Sequence, residues 1–380
     1  IVVTSRRPPP TPWTDSRIHF VAVDFLDSQE RAVEALRLVC RDVTHAYFAS
    51  YIHDDDLAKL PEKNVPLFKN FMDVVDQVCP RLQRVCLQTG GKHYGVHLGP
   101  TAQPVSEDIP RYADDNGLNF YYQQEDHLLA AQQQRRHHQN QWSYNIIRPF
   151  GIIGFHPTSN GMSMAITLAV YILISLESSP SPSSSSGQTT TNVPPFPGSQ
   201  AVLDFPDDVS FAPSLADLTV WASTHDRARD EAFNHASGDP VVWRYFWPRL
   251  AARWSIGGGG EVRNYSPQSD DGNEEVSTLR TSVSEWARDK RPVWDRVVRR
   301  YGGRPDAFDW CSWSVLDWGY VRRDWPVLPS AAKARACGWT RWDRAMDGWE
   351  AAFAAFEDAG ILPRAAVVRE AVAGGGSGGG

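Results

Sequence analysis

Two short strings carry side chains able to move a proton or hold an oxyanion. Lys92 stands in TGGKHY, and Tyr121 is the first tyrosine of NFYY within NFYYQQED. A phenol titrates near ~10 in water, so it needs a neighbouring cation to act as a useful acid near neutrality. A lysine beside it meets that need and can also hold a nicotinamide ribose. Spacing alone does not bring the two side chains together, and a tyrosine at a helix entry is often structural. Arg6-Arg7 is a third feature, directly after the apolar run IVVTS. Guanidinium forks suit phosphate. After the second strand of a dinucleotide-binding fold, arginine accommodates a 2′-phosphate where an acid would take the ribose hydroxyl. The pair therefore favours NADP(H) over NAD(H), although by itself it also fits a solvated basic turn. Asp24, closing the next apolar run, is placed to meet the adenine. His137-His138 and Asp54-Asp55-Asp56 read as turns or solvated faces without metal-ligand spacing, so no metal site is expected.

The elements that must position these residues are legible from periodicity. Strands are expected over residues 1–4, 19–23, 44–50 and 82–88, with helices over 29–39 and 65–78. Alternation of strand and helix with short connections implies a doubly wound parallel α/β sheet. Ligands of such sheets gather at the carboxyl ends of strands, which singles out Arg6, Asp24, Ser50 and Thr89.

The remaining organisation follows from composition. The 380 residues are 42% hydrophobic and 22% charged, with 38 basic against 45 acidic residues and a net charge of −7. An acidic balance argues against nucleic acid or an anionic membrane as partner. Five scattered cysteines argue against a disulfide framework and fit a reducing, cytoplasmic setting. The longest apolar run, residues 162–176, falls short of the ~20 residues of a spanning helix and reads as a buried helix. Residues 178–198, rich in Ser, Pro and Thr, read as a disordered insertion, with a second loose region over 257–260 and 266–275. Thirteen of the fifteen tryptophans lie from Trp221 onward, which points to a mainly helical, aromatic-rich lobe. The expected division is a Rossmann-like domain over 1–160, a smaller substrate lobe over 161–365 and a flexible Gly-rich tail over 366–380.

Taken together the strings are far more specific than any one of them. SRRP, DVTHAYFAS, CPRLQRVCLQTGGKHY, EDIPR, NFYYQQED and WSYNIIRPFGIIGF resemble the progesterone 5β-reductase/iridoid synthase (PRISE) family of atypical extended short-chain dehydrogenases/reductases. The likeness continues through VWASTHDRARDEAFNHASGD, VWDRVVRRYG and SAAKARACGW. The resemblance implies an extended Rossmann-like fold and NADPH-dependent reduction of small apolar enones. It implies Lys92 and Tyr121 as catalytic residues, with Tyr121 stabilising an enolate and Lys92 lowering its pKa. Arg6, Arg7, Asp24, Phe25, Ser50, Thr89, Lys92, Tyr121, Pro149 and Ile152 would hold the cofactor. His97, Leu98, Trp325 and Val327 would line the substrate pocket, and a homodimer is an expected assembly.

The sequence also departs from the family. GVHLGP, residues 95–100, stands where members commonly carry a Gly-Pro-Phe stretch, which changes the expected pocket wall at His97 and Leu98. Members open with a strand, a Gly-x-x-Gly-x-x-Gly turn and a helix ahead of the arginine pair, whereas IVVTSRRP resembles the second strand. The expectation is a sheet lacking one central strand and weak NADPH binding by these 380 residues. Alternatives are a cofactor-poor binding protein on a reductase scaffold, and a carbonyl reductase or epimerase of the extended class.

Overall fold

The computed structural model describes residues 1–8, 15–54, 56–135, 141–178, 193–255 and 281–374. His137-His138 and the loose region over 257–275 lie outside them. The chain divides into two compact units of similar size, each assembled from three stretches of sequence rather than from one half of the chain. The first comprises Ile1–Phe150, Pro213–Ala236 and Pro329–Arg341; the second comprises Gly151–Ala212, Ser237–Leu328 and Trp342–Gly380.

The first unit is the α/β part. Strands β1 (Val2–Ser5) and β2 (His19–Ala22) pair in parallel, with helix α1 (Gln29–Leu36) next in the chain. Strand β3 (His45–Phe48), helix α2 (Leu60–Val78), strand β4 (Arg84–Gln88), helix α3 (Phe120–Arg135) and strand β5 (Ser143–Pro149) follow. Strands β3, β4, β5 and Glu231–His235 form a four-stranded sheet, parallel throughout. Side chains alternate across this sheet as a period of two requires. Val85, Leu87 and Ile146 enter one apolar cluster with Phe68, Phe71 and Val75 of α2. Ile147 turns to the opposite face, into a cluster with Leu218 and Ala222 of helix Ala212–Thr224 and with Phe233. Helices thus cover both faces, as parallel sheets demand.

Among the described residues β1 and β2 pair only with each other, and no strand joins β1 to β3. In the doubly wound order 3-2-1-4-5-6, the pair and the four-stranded run correspond to 3-2 and to the strands from 4 onward. The break falls at the central position.

Helix α2 begins five residues before the expected start. Pro61 occupies its first turn and Pro66 lies inside it. A proline in a helix interior removes one hydrogen bond, so Pro66 reads as a beginning. Tertiary contacts carry the helix across it: buried Asn64 accepts from Ile52 N at 2.8 Å and donates to Ile52 O at 2.9 Å.

The second unit is mainly helical. Helix α4 (Met164–Ser178) is buried from Met164 to Ile174, as its apolar sequence requires. No helix among the described residues is long and apolar enough to cross a membrane. Trp243, Trp247, Trp254, Trp294 and Trp349 are fully buried, and their work is packing. Indole N–H groups need partners when buried: Trp243 donates to Asp207 at 2.9 Å and Trp247 to the Pro194 carbonyl at 2.7 Å.

Two expectations are corrected here. The Ser/Pro-rich stretch is not disordered to its end: residues 179–192 lie outside the described set, but Phe196 is fully buried between Trp243 and Trp247, at ring distances of 5.5 and 5.6 Å. An aromatic ring in a polar stretch has the area to enter a core that its neighbours lack. The tail is helical over Ala365–Gly374, with Val368 only 2% exposed. Phe196→Ala should therefore destabilise the protein by about 3–5 kcal/mol in denaturant unfolding, whereas a surface insertion would show no loss.

Candidate active site

The turn after β4 carries the first candidate. Residues Gly91–Tyr94 form one turn of 3-10 helix. Gly91 must be glycine, because a Cβ there would stand 2.5 Å from the Phe150 ring. Gly95 ends the turn at φ +74°, with a Cβ position 2.4 Å from the Tyr112 ring, so only glycine fits. Lys92 sits between them. Its Nζ donates to the Tyr51 hydroxyl at 3.4 Å and lies 5.7 Å from the centre of that ring. Burial pushes the ammonium down to about 8.

Tyr121 lies in the first turn of α3, 8% exposed, with its ring 4.3 Å from that of Phe120. Its hydroxyl borders Gly90, whose Cβ position would stand 3.4 Å from both Tyr121 Oη and Pro149 O. Burial pushes the Tyr121 phenol well above its ordinary value, and Tyr51 and Glu125 push the same way. This corrects the expectation that Lys92 lowers it. In the structure the ammonium engages Tyr51, and desolvation dominates at Tyr121.

The segments bearing Lys92 and Tyr121 are tied together by their neighbours. Asn119 Nδ2 donates to the carbonyls of Lys92 and His93 at 2.6 and 3.2 Å, and Tyr122 Oη donates to His93 O at 2.6 Å. Glu125, one helical turn beyond Tyr121, is 5% exposed at its side chain. Its carboxylate lies 3.0 Å from His93 Nδ1, 3.3 Å from Arg148 and 3.7 Å from Arg111. Burial pushes this carboxyl up, but the contacts with His93, Arg148 and Arg111 outweigh it and bring it below the usual range. Arg148 also donates to Tyr94 Oη at 3.0 Å, and that phenol donates to Asn234 at 2.7 Å.

His97 follows in the same loop. Burial pushes its imidazole down to about 3, with the Lys92 charge adding to the effect. It is therefore neutral, and its buried Nδ1 has no hydrogen-bond partner among the described residues. Leu98 beside it is half-buried, its N–H bound to Gly95 O at 2.8 Å.

The other sequence-derived residues are placed as follows. Arg6 and Arg7 are exposed just past β1, and neither guanidinium has an ion-pair partner among the described residues. Asp24, just past β2, accepts from Leu26 N at 2.9 Å. Phe25 packs edge-on against Phe71 at 5.5 Å, so its ring belongs to the core. Ser50 is exposed after β3, and Thr89 extends the β4–β5 ladder through N–H to Ile147 O at 2.8 Å. Pro149 is buried at the end of β5. Ile152, Trp325 and Val327 belong to the second unit, where Ile152 is 48% exposed and Val327 is buried beside Asp207. The structure thus brings Tyr121 and Pro149 together at Gly90, two residues before Lys92, whose ammonium meets Tyr51. Tyr51, Asn119 and Glu125 escape sequence reading, because nothing local marks an ordinary Tyr, Asn or Glu as a partner of a distant turn.

The Lys92 shift makes a stability prediction. The unfolded chain holds this amine charged up to about 10.5 and the folded one up to about 8, so folding carries a desolvation cost that is full below pH 8. The cost fades as pH rises from 8 to 10.5. Lys92→Met should raise the unfolding free energy by up to about 3 kcal/mol at pH 7, with the gain vanishing near pH 10.5; a pH-independent gain would contradict this.

Residues 12–307 match the family model described as a PRISE-like Rossmann-fold domain. A short chain dehydrogenase of Penicillium aethiopicum is 39% identical over 367 residues, covering 96% of this chain and 91% of that protein. An (S)-8-oxocitronellyl enol synthase of Nepeta racemosa is 32% identical over 306 residues, 78% of this chain and 69% of the synthase. Among solved structures, the UDP-glucose 4-epimerase of Thermotoga maritima superposes with a TM-score of 0.58 at 11% identity, over 94% of this chain and 90% of that one. A likeness at that identity speaks to the fold alone. From the sheet with helices on both faces and the breadth of the family match, the chain belongs to the PRISE-like Rossmann-fold family of short-chain dehydrogenase/reductase oxidoreductases.

Proposed function

We propose that the protein is an NADPH-dependent reductase of small, apolar α,β-unsaturated carbonyl compounds. The observation that carries this reading is the Tyr121 hydroxyl, set beside Gly90 and the Pro149 carbonyl at the carboxyl ends of β4 and β5, with Lys92 in the turn that follows Gly90. Relatives in Nepeta and Catharanthus are named enol synthases. An enol is what results when a hydride joins the β-carbon of an enone and a proton joins its oxygen.

The residues present fit a phosphorylated nicotinamide dinucleotide. Arg6 and Arg7 offer two guanidinium groups with no competing ion-pair partner among the described residues, suited to a 2′-phosphate. Asp24 stands past the adjacent strand, and in this reading Lys92 would hold the nicotinamide ribose. When bound, the cofactor supplies the hydride.

The chain's own residues do the rest. Tyr121 Oη donates a hydrogen bond to the substrate carbonyl, and that bond strengthens as negative charge gathers on the oxygen. The phenol is neutral at working pH, so its O–H stands available as a donor. The Lys92 ammonium adds a positive field from a position largely removed from water, where charge acts more strongly. Phe150, against Gly91 and stacked on Tyr94 at 6.1 Å, closes the floor of the turn.

NADPH oxidation with 2-cyclohexen-1-one should fall about 10²-fold or more in Tyr121→Phe, with NADPH affinity by nicotinamide fluorescence little changed. Normal turnover by that variant would remove the assignment. The Arg6→Ala/Arg7→Ala double variant should bind NADPH at least about tenfold more weakly while leaving NADH binding unaltered; equal losses for both would argue against a 2′-phosphate site.

A further inference from the structure

Tyr51 lies three residues past the end of β3, outside every residue set that the sequence motifs mark. We propose that Tyr51 is a positioning residue for Lys92, holding the ammonium in the site through a hydrogen bond from Nζ to the phenol oxygen. The inference rests on the reductase reading for its catalytic meaning, but its geometry stands apart from it.

Three observations converge on this phenol. Lys92 Nζ reaches its oxygen at 3.4 Å and stands 5.7 Å from its ring centre, so the cation meets both the lone pair and the edge of the π face. The ring is itself fixed, 5.9 Å from Phe120 and 6.2 Å from His53. Phe120 in turn lies against Tyr121, so one aromatic stack joins the two phenols. Burial, with Asp54 adding, pushes the Tyr51 phenol up to about 12, so the group is neutral across the working range. A neutral phenol that accepts from an ammonium keeps its own O–H proton for a bound ligand.

A lysine has four rotatable bonds, and each acceptor its ammonium meets narrows the positions it can take. The Tyr51 oxygen at 3.4 Å is one such acceptor. It also favours the charged form, since a hydrogen bond accepted from an ammonium stabilises that state. The other titratable groups near the cluster are His53 and Asp54 on the Tyr51 segment, Lys63 of α2 paired with Asp54, His93 and His97 on the Lys92 turn, and Tyr121 and Glu125 on α3. His97 is neutral, and Glu125 is compensated by Arg148 and His93.

The test is a lysine 13Cε NMR titration. The chain has only six lysines, and Lys92→Arg identifies the Lys92 signal. In Tyr51→Phe, which keeps the ring and loses the acceptor, the Lys92 midpoint should fall by about half to one pH unit, and Tyr51→Gln, which keeps an acceptor oxygen without the ring, should recover at least half of that shift. In the active holoenzyme, Tyr51→Phe should lower kcat/KM for the enone about three- to tenfold, with the high-pH limb moved down by the same interval and KM little changed. A midpoint that is unmoved, that rises, or that follows the ring instead of the acceptor overturns the proposal. The titration needs no turnover, so an absence of enone reduction would remove the reductase reading while Tyr51 is still decided by the Lys92 midpoint.

Discussion

The site depends on one buried carboxylate. Glu125 is 5% exposed, and a charge so placed without partners would cost several kcal/mol, so the fold must bring partners to it. They come from different elements: the His93 ring, whose charged form burial disfavours, from the turn after β4, and the guanidinium groups of Arg148 from β5 and Arg111 from the loop before α3. Satisfying one carboxylate therefore sets three segments in place at once. Because Glu125 is four residues beyond Tyr121, the two lie on one face of α3. The rotation of the helix that buries Glu125 among its partners is the rotation that turns Tyr121 toward Gly90. The same chain of contacts runs on from Arg148 through Tyr94 to Asn234, whose Nδ2 donates to Val105 O at 3.0 Å. A conformational error at any of these positions would leave a buried charge or amide unsatisfied, and that penalty confines the site to one arrangement.

Much of the scaffold was legible because it rests on local pattern. The alternation in β4, the apolar stripe of α2 and the continuous apolar run of α4 each depend on residues close in sequence, and each formed over the expected stretch, α2 with one further turn at its start. What escaped depends on partners far away. Pro66 reads as a helix start until Asn64 is seen gripping the Ile52 backbone. Phe196 reads as part of a polar insertion until two tryptophans some fifty residues onward enclose it. Lys92 and Tyr121 were legible as residue types, but their electrostatic relation was not: burial and the intervening Tyr51, rather than proximity of charge, set it.

The break between β1 and β3 shows the same separation of local from distant effects. Among the described residues the hydrogen-bonded ladders stop between β2-β1 and the sheet that β3 opens. Yet Val2, Val21 and Val23 still join the cluster that holds Phe48, Phe71 and Leu87. Apolar burial is non-directional, so it keeps β1 and β2 on the shared core where directional backbone pairing is lacking. Arg6 and Asp24 owe their places to that packing.

Burial acts on the two candidate catalytic groups in opposite directions, and neither shift changes a protonation state at neutral pH. Desolvation disfavours whichever form is charged, so it pulls the Lys92 ammonium down to about 8 and drives the Tyr121 phenol up. At neutral pH the amine still holds its proton and the phenol has not lost its own. With His97 neutral and Glu125 compensated, the segments bearing Lys92 and Tyr121 supply a positive charge and a neutral donor. A substrate oxygen that acquires negative charge there meets an environment already polarised for it. The reorganisation that water would have to make during the reaction has been made during folding, and its cost is the lowered stability that the buried lysine imposes.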